Sequence, residues 1–143
     1  MPDLHIDEFY KDTALVLAQL YGAFPRKSSV YVEDIAGDDR PDEFGLHSKR
    51  HLACFGAMLW LAEEGWLRYV DTIGQLAIDQ ATLTERAFTV LSSFALPESG
   101  TAAKSSSASH GEPQLQIDRL RRALNSGNTL TISRVVRNVI FPT

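Results

Sequence analysis

The run from Leu52 to Ala62 constrains the fold of this chain more than any other feature. All of its side chains are apolar, Gly56 lies near its centre, and none of its residues is charged. A helix without a polar face is buried on most of its sides, so this run predicts the central helix of the core. We expect one continuous helix from Leu46 to Gly65, with its polar beginning outside the core. Gly65 is expected to end the helix in the left-handed backbone conformation. Because a mid-helix glycine costs about 1 kcal/mol relative to alanine, Gly56 predicts that another element crosses closely there.

The segments that precede the central run predict a helix and a second, ambiguous element. Apolar residues recur every three or four positions near the N-terminus, which predicts a helix over about 4–24 that Pro25 ends. The β-branched and aromatic run over 30–35 is typical of a strand. A short helix over 32–36 fits the same residues equally well, and both alternatives stay open at this point.

The segments that follow the central run predict a hairpin and another helix. Two stretches rich in aromatic and β-branched residues, 66–71 and 76–83, flank a turn that contains Gly74. This pattern is typical of a β-hairpin. Thr84 then stands where a helix N-cap is expected, ahead of apolar residues that reach Phe94.

The composition changes after residue 96. Residues 97–113 are rich in Ser, Ala and Gly and hold no large apolar residue, which predicts a flexible linker between a domain over 1–96 and a tail over 114–143. The tail contains two short apolar stripes, which predict two short helices. Such a short segment cannot bury a core alone, so we expect it to dock on its own domain or on a second subunit of a homodimer. The residues expected to make this contact are Ile117, Leu120, Leu124, Val136 and Ile140.

Two short motifs resemble those of a known fold. Leu61–Tyr69 looks like the end of a recognition helix that leads into a wing, and Leu83–Leu91 is similar to the LT-x-x-G…L motif of many bacterial regulators, with Ala87 in place of the glycine. Together with the element order over 5–95, these motifs resemble a winged helix-turn-helix domain. The resemblance implies an α+β, mostly α fold with a β-hairpin wing. It also implies that the central helix enters the major groove of DNA.

The basic beginning of the central helix supplies the candidate DNA contacts. Arg and Lys bind guanine edges or phosphates, while Ser and His add hydrogen bonds. The residues expected to contact duplex DNA are His47, Ser48, Lys49, Arg50, His51 and, on the hairpin, Arg68. The first hypothesis is therefore a DNA-binding transcriptional regulator of the winged-helix type.

The distribution of charge favours a different partner. The chain carries 14 Lys and Arg against 18 Asp and Glu, a net charge of −4, whereas DNA-binding proteins usually have a basic balance. The hairpin tip over 71–75 contains one acid and no base. The second hypothesis is a winged-helix interaction module that binds a protein partner and no DNA.

A metal site and a reactive cysteine are both weakly supported by the sequence. His47 and His51 lie four residues apart, as two metal ligands on one helix face would. A third ligand would have to come from Asp42, Glu43 or His5. Because nothing in the sequence places these residues beside the histidines, we predict neither a metal nor another cofactor. Cys54 lies inside the apolar run and is expected to be a buried, unreactive thiol.

The remaining functional classes lack a motif in the sequence. No phosphate-binding loop, nucleophile elbow or metalloprotease motif occurs, and we therefore expect no enzyme. The acidic N-terminus differs from a secretory signal, and no uncharged apolar run approaches about 20 residues. A cytoplasmic protein that spans no membrane is the expectation.

Overall fold

The computed structural model describes residues 4–95 and 114–142, so the predicted linker over 97–113 lies outside the described residues. Within them the chain forms six helices and a small antiparallel sheet, and the predicted α+β, mostly helical class is confirmed. None of the described helices is long and apolar enough to span a membrane. The elements are α1 (Leu4–Ala23), β1 (Ser28–Tyr31), α2 (Val32–Ala36), α3 (Lys49–Glu63), β2 (Leu67–Arg68), β3 (Asp71–Ile73), β4 (Ala77–Leu83), α4 (Glu85–Ser92), α5 (Gln116–Ser126) and α6 (Thr129–Val139).

The strand β4 is the centre of the sheet. The strand β1 pairs with it on one side, and β2 and β3 pair with it in succession on the other, all antiparallel. The predicted hairpin is confirmed, with Gly74 at φ 52° in its turn, although its first strand is divided in two. The ambiguous segment over 30–36 contains both alternatives, because β1 runs directly into α2.

The tail packs on its own domain and shares its core. Ile117, Leu120, Val136 and Ile140 are each no more than 2% exposed, Leu124 is half-buried, and α5 and α6 both contact α1. Backbone hydrogen bonds join the two described segments, from Ala95 N to Gln114 O at 2.7 Å and from Gln116 N to Ser93 O at 2.8 Å. The expected pair of helices is confirmed, and its apolar faces are covered within one chain.

The central helix begins later than predicted. It begins at Lys49 instead of Leu46, because Ser48 caps it by accepting a hydrogen bond from His51 N at 3.1 Å. Upstream, the Asp42 carboxylate accepts from the backbone N–H groups of Phe44 and Leu46 at 2.8 and 2.9 Å. These side-chain bonds hold a turn where a helix was expected, since short polar side chains compete with the helical hydrogen bonds of the backbone.

The prediction that α3 is buried nearly all round is wrong, and so is the predicted crossing at Gly56. One face of α3 is exposed, and a Cβ placed on Gly56 would meet no described atom within 4 Å. An apolar composition indicates that a helix can be buried, but it does not show whether the rest of the chain packs against every face of that helix. We call this exposed face the α3 outer face; it consists of Lys49, Leu52, Ala53, Gly56, Trp60 and Glu63.

Candidate interaction face and histidine cluster

The Arg50 side chain is bound to α1. Its guanidinium donates to both carboxylate oxygens of Asp12, at 2.7 and 2.5 Å, and its Nε lies 3.3 Å from Glu8. Asp12 is only 1% exposed, so it depends on this partner for its hydrogen bonds. The hydrogen bond with Asp12 is the main cause that raises the pKa of Arg50 above its ordinary value. The structure therefore uses Arg50 to join α3 to α1.

The two histidines at the beginning of α3 face the body of the protein. His51 is 1% exposed, and its Nε2 lies 2.7 Å from the backbone oxygen of Gln75 in the hairpin turn. His47 is half-buried, with its Nδ1 2.9 Å from Asp39 Oδ2. The two rings are stacked, with centroids 3.9 Å apart and planes inclined by 7°. These side chains connect α3 to the preceding loop and to the hairpin.

Asp39 completes a cluster with the two histidines. Its Oδ2 accepts a hydrogen bond from Ser48 N at 3.3 Å and lies 3.7 Å from His51 Nδ1. Hydrogen bonds from Ser48, and next from His47, hold the pKa of Asp39 below its ordinary value of 3.8. One ligand atom from each of Asp39, His47 and His51 lies within 4.8 Å of the others. The acidic group beside the histidines is thus Asp39, which sequence reasoning missed because a loop of unknown path separates it from α3.

Two of the six predicted DNA contacts remain as exposed cations. Lys49 and Arg68 are exposed and form no salt bridge with residues 4–95 or 114–142. Ser48 is also exposed, but its hydroxyl serves as the N-cap of α3. The other three, Arg50, His47 and His51, hold the contacts described above.

The α3 outer face is apolar between two oppositely charged ends. Its six residues fall on one arc of about 100°, since an α-helix turns 100° per residue. Leu52 and Trp60 are each 40% exposed, and Trp60 packs edge-on against Phe9 at a ring distance of 5.4 Å. Among the four residues of this face other than Lys49 and Glu63, the indole of Trp60 is the only side chain that can form a hydrogen bond. The small residues Ala53 and Gly56, three positions apart, could have indicated this face from the sequence. They lie within the apolar run over 52–62, however, and that run predicts burial on all sides.

The hairpin also presents apolar side chains. Val70 is 60% exposed, Leu76 41% and Ile73 36%, and the tip carries no base. Phosphate contacts require cations, so this tip offers nothing to a DNA backbone.

Cys54 is fully buried, and burial is the main cause that raises the pKa of its thiol to about 12. The prediction of a buried thiol is confirmed.

A shallow cavity of about 290 Å³ lies between α1, α2 and α6. The charged side chains on its wall include Glu8 and Arg50, which already contact each other. These two charged groups of the cavity are therefore engaged in a structural contact.

No protein-family model matches the chain, and neither a curated protein nor a solved structure matches it. Function is therefore inferred from the geometry of this chain alone.

Proposed function

We propose that this chain is a winged-helix interaction module whose α3 outer face docks against the same face of a second copy. The observation that carries the proposal is the face itself. Two large apolar side chains, Leu52 and Trp60, remain 40% exposed beside the small residues Ala53 and Gly56. Exposed apolar patches of this kind mark protein contact sites.

The winged-helix assignment rests on element order and pairing. The observed order is α1, β1, α2, α3, hairpin and α4, which is the order expected from the sequence with the short helix α2 added after β1. The strand β1 pairs with β4, the last strand of the hairpin, so one small sheet joins the hairpin to the helical body. In this assignment α3 stands in the place of the recognition helix, and its outer face is the surface such a domain would present.

The chemistry of the outer face suits a protein better than DNA. Base edges are read by hydrogen-bonding side chains, and phosphates are bound by cations. This face offers one cation, Lys49, and its other end carries Glu63, which repels phosphate. Aromatic residues, in contrast, are enriched in the buried centres of protein interfaces. Trp60 is thus an anchor for a protein contact.

The arrangement of the face commits the proposal to a second copy. A two-fold axis through Gly56 makes two α3 helices antiparallel, and each residue then faces the one equally far beyond Gly56. Lys49 faces the partner's Glu63, and Leu52 faces the partner's Trp60. The charges at the ends are therefore complementary while the apolar centres meet. Gly56 and Ala53 allow the two backbones to approach closely.

The first test is the mass of the full chain in solution over a range of concentrations, with the variant Gly56→Leu. We expect a dimer for the unaltered chain and a monomer for the variant, because a leucine side chain occupies the crossing point. The monomer should not be destabilised, since leucine is a better helix former than glycine, which costs about 0.8–1 kcal/mol relative to alanine, and a Cβ meets no described atom there. A chain that is monomeric at every concentration, or a dimer that Gly56→Leu leaves intact, refutes the proposal.

A charge exchange tests the antiparallel pairing itself. Lys49→Glu and Glu63→Lys should each weaken the dimer, because like charges then face each other. The double variant Lys49→Glu/Glu63→Lys should restore it. Lys27→Glu, which changes an exposed cation outside the face, is the matched control and should leave the dimer unchanged. If the double variant stays as weak as the single ones, the pairing is wrong.

DNA binding is a second candidate, and the exposure of Lys49 and Arg68 is the observation that favours it. The test is titration of the full chain with mixed duplex DNA at about 50 mM and about 200 mM salt, where phosphate contacts are strong and weak respectively. Binding that falls with salt and with Lys49→Ala/Arg68→Ala supports a regulator. An absence of binding at the lower salt concentration excludes it. Arg50 is unsuitable for this test, because it binds the buried Asp12 and its removal is expected to destabilise the fold.

A further inference from the structure

We propose that Asp39, His47 and His51 form a binding site for one Zn²⁺ ion at the beginning of α3. Two imidazole nitrogens and one carboxylate oxygen are ligands that zinc prefers, and three protein ligands leave one position for water or another small ligand. The proposal does not depend on the function proposed above. It rests on the geometry of the cluster and on an unpartnered atom inside it.

The unpartnered atom is Nδ1 of His51. The Nε2 of this ring lies 2.7 Å from Gln75 O, and a carbonyl oxygen can only accept, so Nε2 carries the hydrogen. In the neutral ring, Nδ1 then presents a lone pair. This atom is buried in a side chain that is 1% exposed, and no residue in 4–95 or 114–142 gives it a hydrogen bond. A buried polar atom without a protein partner requires an explanation, and a bound ion is one that also accounts for the carboxylate beside it.

The surroundings of that lone pair call for a cation. Asp39 Oδ2, an anionic oxygen, lies 3.7 Å from His51 Nδ1. Two electron-rich atoms that face each other repel, and a cation between them replaces this repulsion with attraction to both. Gln75 O supplies what protein zinc sites commonly contain, a carbonyl that accepts from the other nitrogen of a ligating histidine and fixes its orientation.

The distances agree with a single ion. Two ligand atoms bound to zinc at about 2.0–2.1 Å in a tetrahedral arrangement lie roughly 3.3 Å apart. Asp39 Oδ2 is 2.9 Å from His47 Nδ1 and 3.7 Å from His51 Nδ1, which brackets this value. The hydrogen that His47 Nδ1 donates to Asp39 would move to Nε2 of the ring or to solvent when zinc binds. An ion binds near the plane of each imidazole, and the two rings are now nearly parallel. His47, whose side chain is 14% exposed, is the ring that turns on binding, because Gln75 holds His51.

The site would connect three parts of the fold. Asp39 lies in the loop before α3, His47 adjoins the N-cap of α3, and His51 lies in its first turn and contacts the hairpin. Zinc bound to all three side chains would fix the loop and the hairpin turn relative to α3. Bound zinc should therefore raise the unfolding temperature of the full chain, because it binds only the folded state tightly.

The experiment is calorimetric titration of the full chain with Zn²⁺ near neutral pH, with Co²⁺ absorption as a check on coordination geometry. We expect one equivalent of Zn²⁺ to bind. Asp39→Asn and His47→Gln should each weaken binding by more than about 100-fold, since even a residue that only orients a ligand contributes 10–100-fold. Both side chains are more exposed than that of His51, at 11% and 14% against 1%, so these variants avoid the most deeply buried member of the cluster. The matched controls Asp38→Asn and His5→Gln change exposed residues and should bind Zn²⁺ normally.

Nuclear magnetic resonance of the imidazole nitrogens distinguishes zinc from a proton at the same position. Zinc should shift the Nδ1 signal of His51 while Nε2 keeps its hydrogen. A His51 ring that holds a proton on Nδ1 near neutral pH and does not respond to Zn²⁺ overturns the proposal. Binding of less than one equivalent overturns it as well, as does binding that survives both Asp39→Asn and His47→Gln.

Discussion

Replacing Arg50 with alanine should destabilise the protein severely, although the residue stands in a basic sequence that suggests a binding role. The structure gives the reason. Asp12 is 1% exposed and receives two hydrogen bonds from the Arg50 guanidinium. In Arg50→Ala the carboxylate stays buried and loses its charged partner. The Arg50 side chain is 28% exposed and also contacts Glu8, so the reverse change, Asp12→Ala, leaves a cation that water and Glu8 can still stabilise.

The expected loss follows from the cost of an uncompensated buried charge. Removing one partner of a buried ion pair costs about 3–5 kcal/mol. A domain of this size has a free energy of unfolding of about 5–15 kcal/mol, so Arg50→Ala removes a large part of it. Asp12→Ala should cost less than Arg50→Ala because its remaining charge is partly solvated. The double variant Asp12→Leu/Arg50→Met should recover much of the loss, since apolar pairs often replace buried ion pairs without penalty.

Urea denaturation, followed by circular dichroism, measures these differences. With a slope of about 2 kcal/mol per molar urea, a loss of about 4 kcal/mol lowers the midpoint by about 2 M. Lys27→Ala, which removes an exposed cation outside the α3 outer face, is the control and should change the free energy of unfolding by less than about 0.5 kcal/mol. If Arg50→Ala and Lys27→Ala have the same midpoint as the unaltered chain, the ion pair does not hold α3 to α1.

Three further predictions concern the thiol, a cap and the tail. Because its pKa is raised to about 12, the Cys54 thiol should react with iodoacetamide far more slowly in the folded chain than in urea. The stability that comes from keeping this thiol protonated is complete below its ordinary pKa of 9.0 and should be lost as pH rises from 9 toward 12. Urea midpoints at several pH values measure this loss. Thr84→Ala should lower the free energy of unfolding by about 1–2 kcal/mol, because Oγ1 accepts from Ala87 N and donates to Gly65 O, whereas the exposed Thr89→Ala on the same helix should have little effect on the thermal midpoint. Leu120→Ala should cost about 2–5 kcal/mol in urea denaturation, because this side chain is fully buried; a loss below 1 kcal/mol would contradict the docking of the tail on its own domain.

Local signals in the sequence were sufficient for most of the elements. The predicted cap Thr84 is the N-cap of α4, and Gly74 and Gly65 have positive φ where the turn and the helix end were expected. The two apolar stripes of the tail form two separate helices, α5 and α6. Each of these depends on residues within a few positions of one another. The beginning of α3 was predicted three residues too early because the competing bonds of Asp42 and Ser48 depend on the path of the loop.

The candidate sites were predicted less well, because they depend on contacts between distant residues. The sequence predicted His47 and His51 on one helix face, whereas His47 lies just before the N-cap of α3. It also could not find Asp39, whose position depends on how the loop folds back. It predicted Arg50 as an unpaired cation available to DNA, whereas Asp12, 38 residues away in the chain, forms an ion pair with it. The apolar run over 52–62 predicted burial, but the described chain provides no element to cover its outer face.

The amino-acid sequence by itself therefore determined the helices, the hairpin, the buried thiol and the need of the tail to dock, because periodicity, caps and turn residues act over a few positions. Only the tertiary structure decided which charges are paired, which face of α3 remains exposed and which acid meets the two histidines. Those outcomes depend on distances between residues that are far apart in the chain, and side-chain chemistry alone does not specify such distances.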